Sequence, residues 1–166
     1  MIAQIVASIT ENLNDLIRVH ERLLDLTQQQ TRALTERQPQ RVFELLQEIE
    51  VAMIDRTKAE ARRSDLINQA SQVAGVPASD ISVPMLAQLG GIQAGSALEQ
   101  AAAKLKPIVA ALGDVVSRNR ATIEYELGML DHMVKGITTR RDVRPAYSRT
   151  GAAVEVPRMK ILDAQV

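Results

Sequence analysis

The stretch from Ser96 to Gly136 reads SALEQAAAKLKPIVAALGDVVSRNRATIEYELGMLDHMVKG. Leu98, Leu105 and Leu112 recur every seven residues, and Ala102, Val109, Val116, Ile123, Leu130 and Ile137 form a second row in phase with them. A seven-residue apolar repeat draws one stripe along an α-helix, here about forty residues and roughly 60 Å long at 1.5 Å per residue. A stripe of that length needs other helices to cover it. Ser96 reads as the N-cap, with Glu99 completing a capping box. Pro107 is expected to bend the helix without ending it, because the stripe continues in phase. Asn119 falls on the Leu98 row, where a polar residue fixes register at a cost in stability. Beyond it Tyr125, Leu127, Met129, Leu130, Met133, Val134 and Ile137 widen the apolar surface. A wide, methionine-containing surface suits an adaptable partner groove, and it suits a plain bundle core equally well.

The covering helices lie upstream. Ile2, Ile9, Leu16 and Leu23 repeat every seven residues, with Val6, Leu13, His20 and Leu34 beside them, and no Pro or Gly interrupts the run to Glu36. His20 is expected to pack at the boundary of the stripe and not to ligate metal, since no carboxylate or second histidine shares its face at a useful spacing. Arg37-Gln38-Pro39-Gln40 breaks the pattern. Proline suits a first helical turn, and so short a connection makes an antiparallel hairpin. The second helix is expected to seat Val42, Leu46, Ile49 and Met53 in one seam and Leu66, Ile67, Ala70 and Val73 in another. Between them Asp55 to Asp65 is almost wholly polar, either a solvated stretch laced by neighbouring ion pairs or a polar contact surface. Gly75 and Pro77 stop this helix, and Pro84 to Leu89 forms a short helix that plugs one end of the bundle.

Composition narrows the function. The 166 residues hold 46% hydrophobic side chains but only 2% aromatic, namely Phe43, Tyr125 and Tyr147. A core of Leu, Ile, Val, Met and Ala favours helix-on-helix seams over sheet layers. Twenty basic residues balance twenty acidic ones, which gives no reason to expect nucleic acid or an anionic membrane as the main partner. There is no cysteine, so disulfides and thiolate chemistry are out. No run of about eighteen apolar residues and no basic-then-apolar leader is evident, so the expected location is the cytoplasm. Neither His20 nor His132 is preceded at three residues by a glutamate, no HExxH occurs, and Gly90-Gly91 lacks the lysine and hydroxyl residue of a phosphate loop. No catalytic, cofactor-binding or metal-binding residue is expected, and no cofactor.

After Gly136 the composition changes. Residues 138–166 carry six basic against three acidic residues, net +3, which leaves 14 basic against 17 acidic, net −3, in the remainder. Pro145, Gly151 and Pro157 punctuate this segment, its apolar residues are scattered, and it reads as a flexible tail. Tyr147, its only aromatic residue, is a candidate anchor. The fold class is therefore all-α: an elongated antiparallel bundle of three long helices plus a short helix, with a flexible C-terminal tail. The bundle is expected over residues 1–137, with helices at about 2–36, 39–73, 84–89 and 96–137, and the basic tail over 138–166.

Several segments resemble the FlgN family of flagellar export chaperones. They are Leu23-Leu24-Asp25-Leu26-Thr27, the turn Arg37 to Gln40 followed by Val42-Phe43-Glu44-Leu45-Leu46, and Arg62-Arg63-Ser64-Asp65-Leu66. Asn119-Arg120, Tyr147-Ser148-Arg149-Thr150-Gly151 and the closing Met159-Lys160-Ile161-Leu162 complete the set. The resemblance implies a cytoplasmic chaperone that binds hook–filament junction proteins by their terminal helical segments. It also implies delivery of them to the type III export gate at the inner membrane. Cargo would then use Leu127, Leu130, Met133, Val134 and Ile137, and the gate component would meet Tyr147 and Gly151. A structural coiled-coil adaptor that homo-oligomerises without export cargo is the alternative.

Overall fold

The structure is a computed structural model that describes residues 2–139, 146–147 and 153–154, with side chains placed for residues 2–137. It is an all-α bundle: α1 (Ile2–Thr35), α2 (Pro39–Ala74), a short α3 (Val83–Gly90) and α4 (Ile92–Thr139), with a 3₁₀ turn at Ala78–Asp80. Two compact units are formed, residues 1–122 and 123–166.

In the first unit α1 is the central element. Its buried residues include Val6, Ile9, Leu13, Leu16, Ile17, Leu23, Leu26 and Ala33, a broader face than one partner helix needs. One side meets α2. Asn12 Nδ2 donates to the Ala59 carbonyl at 3.0 Å, and Arg41 donates to Gln29 Oε1 at 3.0 Å, so the two helices run in opposite directions. The other side meets α4, where Lys104 pairs with Glu21 at 3.4 Å and Asn119 binds Thr27, Gln30 and Thr31. These pairs ascend together, so α4 runs parallel to α1. Two apolar clusters result. Val6, Ile9, Leu13, Leu16, Leu66, Ala70, Leu86, Leu98 and Ala101 belong to one, and Leu23, Leu26, Ala33, Leu45, Ala52 and Leu112 to the other. Each fully buried leucine among them contributes roughly 2 kcal/mol of transfer free energy.

The connection between α1 and α2 is a tight helix stop. Arg37 adopts φ +54°, and Gln38 N–H donates to the Ala33 carbonyl at 2.9 Å, so the last carbonyls of α1 are satisfied as the chain reverses. Pro39 then opens α2 as its first residue. The α3 plug forms as expected, slightly longer, with Ser82 capping it through Met85 N–H and Leu86 buried against the α1 end. Its glycine packs hard on α1: a Cβ on Gly90 would lie 2.8 Å from Val6 Cγ1.

Three expectations need correction. The inward row of α2 is Val42, Leu45, Ile49 and Ala52, while Leu46, Met53 and, from the second expected seam, Val73 are exposed. In α4 the buried row is Leu98, Ala101, Leu112, Val115 and Asn119, whereas Val109 and Val116 are exposed. Each error involves a doublet of adjacent apolar residues, and the partner helix selects the member that periodicity alone leaves open. Finally, α4 begins at Ile92, not Ser96. Gly91, at φ +80°, turns the chain straight from α3 into α4, and Ser96 Oγ only accepts from Gln100 Nε2 at 3.2 Å within the helix.

The polar stretch of α2 crosses α1 with Ala59 at the point of approach, its carbonyl bound by Asn12. Its charges pair at i,i+3, Lys58 with Asp55 at 3.8 Å and Arg63 with Glu60 at 2.8 Å, while Arg62 reaches Asp15 on α1 at 3.6 Å. In the second unit, helix residues 123–139 are followed by a two-stranded antiparallel ladder, β1 (Ala146–Tyr147) and β2 (Ala153–Val154), with Ala146 opposite Val154 and Tyr147 opposite Ala153. The remaining tail positions, and with them the expectation of flexibility, lie outside the described residues.

Candidate functional site

The site is the second half of α4, and the first half defines it by contrast. At the end of the buried row Asn119 is 3% exposed, and its amide is fully used. Nδ2 donates to the Thr27 carbonyl and to Gln30 Oε1, each at 2.9 Å, while Oδ1 accepts from Thr31 Oγ1 at 2.8 Å. Thr27, the residue whose carbonyl is used, sends its own hydroxyl back to the Leu23 carbonyl at 2.6 Å. A buried amide with every bond made is an anchor, since an apolar replacement strands the groups it leaves behind.

From Glu124 to Ile137 every residue is exposed. The large apolar members are Tyr125, Leu127, Met129, Leu130, Met133, Val134 and Ile137, each between 44% and 70% exposed. Scattered exposed apolar residues are ordinary; a contiguous helical face of them marks an interaction surface. The spacing makes the face. With Ile123 they occupy i, i+4, i+7, i+11 and i+14 through Leu127, Leu130, Val134 and Ile137, one side of a helix about 21 Å long. Met133 and Met129 lie along one flank. Charged groups lie on the flanks too, and Lys135 pairs with Asp131 at 2.6 Å. Four of the five expected cargo-contact residues thus share one exposed face, with Met133 beside it.

Tyr147 pairs in backbone register with Ala153, and Gly151 lies outside the described residues. His132 is exposed on the side away from the apolar row, while His20 is buried with Nδ1 at 2.8 Å from the Leu16 carbonyl. Among the described residues there is no group of three or more side chains able to hold a metal ion, and no helix long and apolar enough to cross a membrane.

Sequence reasoning missed a second exposed apolar set, Phe43, Leu46, Val51, Met53 and Ile54 on α2. The signal was present in the doublets Leu45-Leu46 and Ala52-Met53, where choosing the heptad partner of Val42 and Ile49 leaves Leu46 and Met53 outside.

An uncovered apolar half-helix continuous with an anchored one suits recognition of other helices, not chemistry. Comparison with curated proteins and with solved structures finds no match. The family described as FlgN protein matches residues 1–155. That match spans the hairpin, the plug, the whole of α4 and the Tyr147 segment, and the chain belongs to the FlgN family of flagellar export chaperones.

Proposed function

We propose that this protein is a cytoplasmic chaperone that binds hook–filament junction proteins, the hook-associated proteins, by their terminal helical segments and delivers them to the flagellar export gate at the inner membrane. The labour divides between the bundle, residues 1–137, and the basic tail, residues 138–166. Cargo lies along Leu127, Leu130, Met133, Val134 and Ile137, and the gate component engages Tyr147 and Gly151. The observation that carries the reading is the row of large apolar side chains left exposed along α4 beyond Asn119, in a chain whose family serves flagellar export.

The physical logic is direct. A terminal segment of cargo that forms an amphipathic helix self-associates unless its apolar face is covered, and a complementary helix face covers it. Release at a gate then requires a second contact elsewhere in the chaperone, so that delivery does not compete with cargo binding for one surface.

Calorimetry of the full chain with the C-terminal helical segment of a junction protein tests the reading. Micromolar or tighter binding is expected, with large weakening in Leu130→Asp and unchanged helicity by circular dichroism. Tyr147→Ala should lower secretion of junction proteins while leaving cargo affinity intact. Absence of binding to any junction-protein segment would sink the proposal, and loss of cargo affinity in Tyr147→Ala would move that residue into the cargo site.

A further inference from the structure

The outward face of α2 carries a heptad seam with a charge inside it. Phe43, Leu46, Glu50 and Met53 stand three and four residues apart, the spacing of one helical stripe, and Val51 and Ile54 widen it. The five apolar members are between 38% and 58% exposed, and they face away from the buried Leu45 and Ala52. At about 100° per residue, Glu50 lies about 20° from Phe43 and about 40° from Leu46 and Ile54, so its carboxylate stands within the apolar face and not at its edge. Its neighbours one turn away, Leu46, Gln47, Met53 and Ile54, carry no charge. On the Val51 flank Glu44 and Glu48 share Arg41 at 3.1 and 3.4 Å, and Arg22 of α1 lines the same groove. That flank is balanced. Glu50 has no ion pair or hydrogen bond among the described residues.

We propose that this face docks an amphipathic helix of a further protein partner, one whose apolar row carries an arginine or lysine at the position that meets Glu50. A carboxylate covered by apolar surface loses its water, which is costly unless a cation takes the water's place. A basic side chain at that point supplies the ion pair, and one polar position in an otherwise apolar seam selects partner and register. A second copy of this chain is the wrong occupant on two counts. A twofold contact centred on residues 43–54 sets the two Glu50 carboxylates near each other. The face is also small, about 16 Å long and one helix wide, against the roughly 800 Å² per partner of a standard stable interface. A face of that size fits a contact that forms and releases. The proposal does not rest on the cargo reading, whose residues lie on α4 from Leu127 onward.

Three synthetic helical peptides of about three heptads test this, identical in their leucine rows except at one central seam position, which is arginine, leucine or glutamate. Fluorescence anisotropy is read with the full-length chain carrying Leu130→Asp, so that the proposed cargo face does not contribute. The arginine peptide should bind about tenfold more tightly than the glutamate peptide and more tightly than the leucine peptide, although leucine is the more apolar. Adding Glu50→Lys should reverse the order of the arginine and glutamate peptides, and adding Phe43→Asp or Ile54→Asp should abolish arginine-peptide binding. Leucine-peptide binding as tight as that of the arginine peptide overturns the charge assignment. Binding of none of the three, or arginine-peptide binding that survives both Phe43→Asp and Ile54→Asp, overturns the docking face. A chain without Leu130→Asp that is dimeric by light scattering and becomes monomeric in Ile54→Asp gives the face to a second copy. Affinity for a junction-protein segment that falls in Glu50→Lys alone gives it to cargo, and either result overturns the proposal. Phe43, Glu50 and Ile54 are exposed, so the variants keep their fold, and circular dichroism checks it.

Discussion

The two halves of α4 are built from similar residues and meet opposite fates. Up to residue 122 the helix buries Leu98, Ala101, Leu112, Val115 and Asn119, while beyond it Leu127, Leu130, Val134 and Ile137 repeat the spacing with nothing buried. A heptad stripe states only that a helix wants a partner. The partner of the first half is internal, the face of α1 that begins at Val6 and ends near Thr31. The second half carries a further apolar stripe whose large side chains are exposed. The covered half supplies stability, and under the proposed function the open half takes the cargo.

The comparison can be broken by substitutions that ought to act on one half only. The largest effect is expected from Leu98→Asp. Leu98 is 0% exposed, so a carboxylate there is stranded in the core and should cost about 4 kcal/mol or more, read as collapse of the urea midpoint. Next is Leu112→Ala, which removes buried methyl groups from the cluster with Leu23, Leu45 and Ala52 and should cost about 2–4 kcal/mol. Asn119→Ala strands Gln30 Oε1 and frees the Thr31 hydroxyl, for about 1–3 kcal/mol. At the foot of the scale, Leu130→Asp should change stability by no more than about 0.5 kcal/mol while removing cargo affinity. If Leu130→Asp destabilised the chain as much as Leu112→Ala, the second half would be core and the contrast would be void.

Much of this was legible in the sequence. The all-α class, the hairpin and the plug followed from period, Gly and Pro placement, and from a core without aromatics. What periodicity left open was the facing member of each apolar doublet. Leu45-Leu46, Ala52-Met53, Ala101-Ala102 and Val115-Val116 satisfy a helical stripe equally well, and the packing partner decides between them. The start of α4 was misplaced for a related reason. Ser96 and Glu99 fit a capping box, but Gly91 takes φ +80° and a Cβ on Gly95 would collide with the Ala87 carbonyl, so the close approach of α3 and α4 fixes the boundary upstream. The expected cargo row could be named from sequence because its residues are large and in phase. That its side chains are left exposed is not encoded in the pattern of α4. The pairing of Ala146–Tyr147 with Ala153–Val154 carries no signal at two residues per strand.

Whether cargo occupies the open half of α4 can be read directly by thiol labelling. The chain contains no cysteine, so Leu130→Cys and Leu112→Cys each introduce one reporter thiol at an exposed and a buried position of the same helix. Thiol labelling of the full-length protein should be fast at position 130 and slow at position 112 when the protein is alone. Saturation with a junction-protein C-terminal segment should slow labelling at 130 and leave 112 as it was. Unchanged labelling at 130 with cargo fully bound would contradict the account.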